Sequence, residues 1–235
     1  MVDRQRRTLT IAALVALASL VLLASLDRVG DVDREITERF VDVSGTWLIN
    51  HHGSSLRPWL YDGPKIAIAL FGVGVLVLAY RPGLLSPGWL TRREALFVCA
   101  CLAVVPLAIG VIKQHSNVQC PASLERYGGT QSNADAHLRI TGFFETHRRG
   151  GCWPSGHTSG AFALLCLAWL ERRRRVRLVL ALPGLLAGVA TGWYQVARGA
   201  HFASHILATA LISIILISLL ARAFGIGRVS SKSAG

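Results

Sequence analysis

The chain has few charged residues for its length, and acidic residues are the scarcest of them. Asp and Glu number 13 against 25 Lys and Arg, and charged residues make up 16% of the 235 positions, whereas hydrophobic residues make up 52%. A mean hydropathy of +0.45 is high for a soluble domain of this size. The shortage of charge therefore argues against a soluble enzyme and favours a compact bundle of membrane helices.

The sequence also lacks an internal repeat, a low-complexity segment and a linker long enough to separate domains, so we expect residues 1–235 to form one domain. Six apolar runs come close to the roughly 20 residues that a helix needs to cross a bilayer. They predict an all-α integral membrane bundle with spans at about residues 8–26, 64–80, 94–113, 155–170, 176–195 and 202–221. The fourth run is long enough only if its helix starts at Ser155.

The net charge of +12 is unevenly distributed, which argues against nucleic acid as a partner. If the N-terminus is cytoplasmic, four segments face the cytoplasm: residues 1–7, 81–94, 171–177 and 222–235. They hold 14 of the 25 Lys and Arg but 3 of the 13 Asp and Glu, which is the positive-inside bias. We therefore expect both termini in the cytoplasm and loops 27–63 and 114–153 outside. The run Arg172–Arg175 then sets the topology and contacts anionic lipid.

The first apolar run, Thr8–Leu26, is long for a signal peptide, and Asp27-Arg28-Val29 is not a small-residue cleavage site, so we expect a retained anchor. In the loop that follows, Ile36, Phe40 and the Trp47-Leu48 pair suggest a surface helix that lies against the bundle or the interface.

The second outer loop, 114–153, is polar and glycine-rich, with Cys120 and Cys152 near its ends. A loop of this length with little periodicity needs a functional reason or a covalent brace. If it faces an oxidising compartment, a Cys120–Cys152 disulfide would close it. Two independent thiols are the alternative.

Three groups of polar residues fall at the outer end of the predicted spans. Lys113 ends the third span, Pro154-Ser155-Gly156-His157 opens the fourth, and Arg198–His205 covers the turn before the sixth. A serine hydroxyl and free backbone N–H groups at a helix N-terminus can hold an oxyanion, and a histidine can deliver a proton. The pattern predicts a phosphate site. Snorkelling of Lys113 and Arg198 with capping by Ser155 would explain each residue singly, but not the histidines together.

These motifs resemble those of the type 2 phosphatidic acid phosphatase (PAP2) superfamily, which is related to vanadium haloperoxidases. The family pattern is Lys-x6-Arg-Pro, then Pro-Ser-Gly-His, then Ser-Arg-x5-His-x3-Asp. Here the second block is complete, while Cys120 and Gln195 replace the two arginines and His205 replaces the acid. The chain is therefore similar to a divergent bacterial branch of the family.

The resemblance implies a role for each histidine. His201 would attack phosphorus and form a phosphohistidine, and His157 would protonate the leaving oxygen. The family's acid keeps the nucleophilic imidazole in its reactive tautomer. His205 lies one helical turn after His201 and would take the place of that acid, although a neutral imidazole offers no anionic partner.

The resemblance also implies how the phosphate is held. Lys113, Ser155 and Gly156 match the positions that stabilise charge on the phosphoryl oxygens. A phosphoryl group in transfer carries dispersed negative charge, and one lysine is not sufficient to balance it. Bidentate guanidinium contacts suit its oxygens best. We therefore predict that Arg198, just before His201, and Arg126, carried over the site by the disulfide loop, replace the missing arginines.

The implied activity is metal-independent and cofactor-independent hydrolysis of a phosphomonoester or pyrophosphate on an envelope lipid. The protein would be a multi-pass protein of the bacterial inner membrane with its site on the outer face. Candidate substrates are undecaprenyl pyrophosphate, phosphatidic acid, phosphatidylglycerol phosphate and a lipid A phosphate. A lipid phosphotransferase and a non-catalytic lipid-binding or transport protein stay open as alternatives. A metal site is disfavoured, because the spacing of His157, His201 and His205 fits no compact zinc pattern. The sequence indicates no oligomeric state.

Overall fold

The computed structural model describes residues 2–25, 28–49, 55–81, 90–133, 150–171 and 173–226, and these residues contain α-helices and no strand. The helices are α1 (Val2–Ser25), α2 (Arg28–Thr37), α3 (Gly63–Tyr80), α4 (Arg92–Gln114), α5 (Gly156–Ala163), α6 (Arg174–Ala197) and α7 (Ala203–Ala223). The prediction of an all-α fold is confirmed. Arg172 and the C-terminal Arg228 and Lys232, expected on the cytoplasmic side, and residues 134–149 of the second outer loop lie outside the described ranges.

Within the described ranges, four helical segments are long and apolar enough to cross a membrane: Pro58–Tyr80, which joins a π-helical turn to α3, and α4, α6 and α7. A fifth span exists if α1 and α2, which meet at 81°, count as one broken span. The predicted fourth span, 155–170, is helical over 156–169 but is not one long α-helix. Its eight-residue α5 continues into a six-residue 3-10 helix, Leu164–Trp169. Together they measure about 24 Å, less than the roughly 30 Å hydrocarbon core. Six spans are therefore not confirmed.

Many large apolar side chains point away from the bundle. Leu70 on α3 is 66% exposed and Leu186 on α6 is 64% exposed, and they belong to a longer series on α1, α3 and α6. Contiguous apolar surface of this kind is a liability in water but matches lipid. The interior is built around α4, whose Phe97, Val105 and Ile109 are completely buried. The described helices therefore form a membrane protein with α4 at its centre.

A row of glycines on α6 brings neighbouring helices unusually close. A Cβ atom at Gly188 would lie 2.3 Å from the Phe162 ring of α5, and one at Gly192 would lie 2.8 Å from Ile206 of α7. Small residues spaced by four let membrane helices approach to backbone contact. This packing fixes α5 against α6, and so fixes the position of Ser155–His157 at the start of α5.

The N-terminal segment covers the turn between α6 and α7. The predicted surface helix ends at Thr37 instead of reaching Leu48, because Asp42 accepts hydrogen bonds from the backbone N–H groups of Ser44 and Thr46 and closes a turn. Beyond that turn, Trp47 packs on Tyr127 with ring centroids 5.8 Å apart. The segment is therefore held against the polar end of the bundle.

Candidate active site

The structure brings His157 and His201 into direct contact. His157 Nδ1 lies 3.1 Å from His201 Nε2. His157 occupies the first turn of α5, and the start of that helix is tied to α7, because Thr209 Oγ1 donates to the Ser155 carbonyl at 3.1 Å. The start of α5 and the α6–α7 turn therefore form one unit that carries both histidines.

A tight turn after α6 presents His201. Gly199 adopts a φ of +71°, which favours glycine, and the Gln195 carbonyl accepts a hydrogen bond from the Ala200 N–H at 2.8 Å. A Cβ atom at Gly199 would lie 2.5 Å from the Trp47 ring. The turn thus needs glycine both for its backbone conformation and for the approach of the N-terminal segment.

Contacts of the ring nitrogens determine which tautomers are consistent. His201 Nδ1 lies 3.5 Å from Cys152 Sγ, and a disulfide sulfur has no proton to give, so Nδ1 carries the hydrogen. His201 Nε2 then holds a lone pair and accepts from His157 Nδ1. His157 Nε2 lies 3.1 Å from the Tyr61 hydroxyl, which can donate to a neutral imidazole and accept from an imidazolium. This arrangement leaves the lone pair of His201 on Nε2.

Burial keeps His201 neutral. The residue is 1% exposed, and burial lowers the pKa of its imidazole well below the ordinary value of 6.5. The neighbouring His205, His157 and Lys113 lower this pKa further. At neutral pH His201 therefore has the uncharged form that a nucleophile needs.

Ser155 offers a free donor at the same place. Its side chain is completely buried, makes no cap hydrogen bond to α5 and has no hydrogen-bond partner among the described residues. The capping alternative for Ser155 is therefore wrong. Lys113 lies beside it, because a Cβ atom at Gly156 would be 3.8 Å from Lys113 Cδ. The three residues predicted to bind phosphoryl oxygens are adjacent.

The two predicted replacement arginines occupy different surroundings. Arg198 is half-buried at the end of α6, with its guanidinium carbon 5.6 Å from the centre of the Tyr61 ring and its Nε buried without a partner among the described residues. Arg126 lies in a 3-10 turn, where its guanidinium pairs with Glu38 at 3.5 Å. The structure thus brings Arg198 to Tyr61, which contacts His157. Arg126 is instead paired with Glu38.

His205 lies in the first turn of α7 and meets His201 edge to face, with ring centroids 5.7 Å apart. Its role in place of the family's acid stays a prediction.

Sequence reasoning missed a carboxylate near His205. Asp33 on α2 is 2% exposed, and it accepts hydrogen bonds from the backbone N–H of Ser204 at 2.9 Å and from the Ser204 hydroxyl. Asp33 and Thr37 share a helix face, but nothing in the sequence shows that this face meets α7.

Cys120 and Cys152 form a disulfide with Cα atoms 5.2 Å apart, which closes the second outer loop.

Ligand atoms of Cys152, His201 and His205 lie within 4.8 Å of one another, as in a metal site. Because the sulfur of Cys152 is already bonded to Cys120, it is not a thiolate, and the group does not fit the Cys and His ligands of zinc.

An apolar cavity of about 580 Å³ ends at this cluster. Its walls come from α3, α4, α5 and α6, and they include Ile68, Leu76, Leu102, Pro106, Gly160 and Thr191. Tyr61, Gly156 and His157 also line it. The cavity therefore connects the histidines with the space between the membrane helices.

No curated protein and no solved structure matches the chain. The model of the PAP2 superfamily matches residues 94–226, which include Lys113, the Pro154–His157 block and His201. Asp33 and Tyr61 lie outside the matched residues. Because the match covers more than half of the chain, the protein belongs to the PAP2 superfamily.

Proposed function

We propose that the protein is a membrane lipid phosphatase, which hydrolyses a phosphomonoester or pyrophosphate of an envelope lipid through a phosphohistidine on His201. Family membership supports phosphatase activity on phosphate esters. The observation that carries the lipid substrate is the apolar cavity that ends at His157. A water-soluble phosphate ester has no group that would fill such a cavity, whereas an acyl or prenyl chain does.

The proposed reaction has two steps. In the first, the lone pair of His201 Nε2 forms a bond to phosphorus, the bond from phosphorus to the lipid oxygen breaks, and that oxygen takes a proton from the imidazolium of His157. In the second, neutral His157 accepts a proton from water while the water oxygen attacks phosphorus and releases His201. Ser155 Oγ, the Gly156 N–H and Lys113 stabilise the phosphoryl oxygens throughout.

The distribution of charge supports a site on the outer face of the bacterial inner membrane. α4 begins with Arg92 and Arg93 and ends at Lys113 beside the site, and α6 begins with Arg174 and ends before His201. The arginine-rich ends of both helices are therefore opposite the site, and the positive-inside rule places those ends in the cytoplasm. The disulfide near the site is consistent with an oxidising compartment.

Matched substrates test the lipid preference. Dioleoyl phosphatidic acid and glycerol 3-phosphate carry the same phosphate monoester, but only the first has acyl chains. Purified protein in non-ionic detergent should release phosphate from the lipid with a kcat/KM at least about 100-fold higher, since chain burial contributes roughly 0.8 kcal/mol per methylene. Addition of an acceptor lipid with product analysis separates hydrolysis from phosphoryl transfer.

A variant that fills the cavity makes the test specific. Ala103 lines the cavity, so Ala103→Trp should lower lipid turnover and leave the slow turnover of glycerol 3-phosphate unchanged. Leu186→Trp on the lipid-facing side of α6 is the matched control. Equal turnover of both substrates by the wild type, or equal losses on both substrates in Ala103→Trp, would contradict the proposal.

A further inference from the structure

The ring of Tyr61 gathers an unusual number of cations. Lys65 Nζ lies 3.5 Å from the ring centre, and the guanidinium carbons of Arg57 and Arg198 lie 5.3 Å and 5.6 Å from it. The hydroxyl of the same ring bonds to His157 Nε2. Arg57 and Lys65 lie one helical turn before and after Tyr61, and Arg198 joins them from α6. Three cations this close repel one another, so the cluster beside a proposed acid points to an anionic ligand.

Lys65 differs from its two neighbours on the ring. Arg57 is already paired with Asp62 at 3.4 Å, and Arg198 is half-buried at the end of α6. Lys65 is exposed and has no carboxylate within ion-pair distance among the described residues. The Lys65 ammonium group contacts the face of the Tyr61 ring. An exposed cation–π contact is weaker than a charge-assisted hydrogen bond to phosphate. Lys65 can therefore leave the ring for a phosphate oxygen at little cost.

A second residue of the cavity lining shows where positive charge is missing. Gln195 stands at the position of a family arginine, lines the same cavity as Lys65, and is completely buried. Both polar atoms of its amide lack a hydrogen-bond partner among the described residues. The two N–H groups of a neutral amide can donate hydrogen bonds to phosphate oxygens, but they bring no charge.

We propose that Lys65, which precedes the family-matched residues, is a phosphate-binding residue of this active site. It supplies positive charge in place of the family arginines, whose positions are occupied here by Cys120 and Gln195. The inference rests on the proposed function, because it assigns the ligand of the same site as a phosphate group attached to a lipid. Tyr61 holds Lys65 beside His157 until the phosphate oxygens replace the ring as its partner.

Binding of orthovanadate, an analogue of the phosphate group, tests this assignment without turnover. Isothermal titration of the full-length protein in non-ionic detergent should give a Kd about 10- to 100-fold higher for Lys65→Gln and Lys65→Met than for the wild type. Lys65→Arg keeps the charge and can donate charge-assisted hydrogen bonds to phosphate oxygens, so it should bind within about 3-fold of the wild type. Arg39→Gln removes an exposed cation that pairs with Glu35 away from the ring, and it should bind like the wild type.

Two outcomes overturn the inference: wild-type affinity in both Lys65→Gln and Lys65→Met, or failure of the wild type to bind orthovanadate. Because the Lys65 side chain is exposed, all variants should unfold at the wild-type temperature, which shows that they are folded. Phosphate release from dioleoyl phosphatidic acid, measured on the same preparations, tests the proposed function separately. A wild type that binds orthovanadate but releases phosphate from neither dioleoyl phosphatidic acid nor undecaprenyl pyrophosphate contradicts the proposed function and leaves the result on Lys65 standing.

Discussion

His157 Nδ1 lies 3.1 Å from His201 Nε2, and in the tautomers assigned above the proposed acid donates to the lone pair with which the proposed nucleophile has to attack. A phosphate group can reach His201 Nε2 only if this hydrogen bond opens. In the proposed reaction, the imidazolium of His157 can then give a proton to the leaving oxygen. Until the phosphate group enters, the contact would hold His201 in the tautomer with its lone pair on Nε2.

The two histidines should respond differently to the leaving group. His201→Ala removes the atom that bonds to phosphorus and should abolish turnover of every substrate. His157→Ala removes general acid catalysis, so the kcat for an alkyl phosphate should fall about 10²- to 10⁴-fold. The kcat for p-nitrophenyl phosphate should fall much less, because its leaving oxygen needs no proton. Steady-state assays of both variants on both substrates check this, and retained activity in His201→Ala would exclude the phosphohistidine.

Asp33 should make the stability of the protein depend on pH. Burial raises the pKa of Asp33 from 3.8 to about 6, although hydrogen bonds from the side chain and backbone of Ser204 lower it. Because the folded state binds this proton more tightly than the unfolded state, its contribution is fully present below pH 3.8 and is lost as the pH rises through 6. The loss is about 3 kcal/mol for a shift of this size.

Thermal unfolding in detergent from pH 4.5 to 7.5 measures this contribution. The wild type should lose stability over that range, and Asp33→Asn should lose much less. Asp31→Asn is the matched control, because Asp31 lies on the same helix but is largely exposed and paired with Arg34. An unchanged pH dependence in Asp33→Asn would show that this carboxyl group is not the one that titrates.

Loss of the disulfide should destabilise the protein. The bond joins residues separated by 32 positions, and a loop of this size corresponds to about 3–4 kcal/mol in the chain-entropy model. Cys120→Ser should therefore lower the unfolding temperature, whereas Cys99→Ser should change it little because Cys99 is a free, partly buried thiol. Mass spectrometry of the alkylated, non-reduced wild type provides the direct check: alkylation of both Cys120 and Cys152 would contradict the bond.

Gly199→Ala should damage the turn that presents His201. The substitution places a side chain at a φ of +71° and a Cβ atom 2.5 Å from the Trp47 ring, so we expect a loss of about 1–3 kcal/mol in stability together with reduced activity. Adding Trp47→Ala should restore part of the activity by removing the clash. Gly74→Ala, where a Cβ atom would meet nothing within 4 Å, serves as the control. Wild-type activity in Gly199→Ala would show that the turn tolerates a side chain.

The sequence by itself determined the fold class, the family and the residues that converge at the site. Apolar runs of near-membrane length can fold only as helices in lipid, because each backbone N–H and C=O has to be satisfied within the segment. The order of the Lys113, Pro154–His157 and Arg198–His205 blocks at one end of these runs was sufficient to place them together. These inferences depend on the length of apolar runs and on the spacing of motifs, both of which can be read from the sequence.

Only the tertiary structure decided which partners reach the site from the first 65 residues. Tyr61 on His157 and Asp33 on Ser204 are contacts between residues 96 and 171 positions apart, and no local periodicity encodes them. Lys65 follows Tyr61 by one helical turn, so it reaches the site because Tyr61 does. The close packing of α5 on the α6 glycines, which fixes Ser155–His157 near His201, also depends on distant segments meeting in the fold. Local composition determines which segments enter the membrane, but side-chain packing between distant segments determines which charges face the phosphate site.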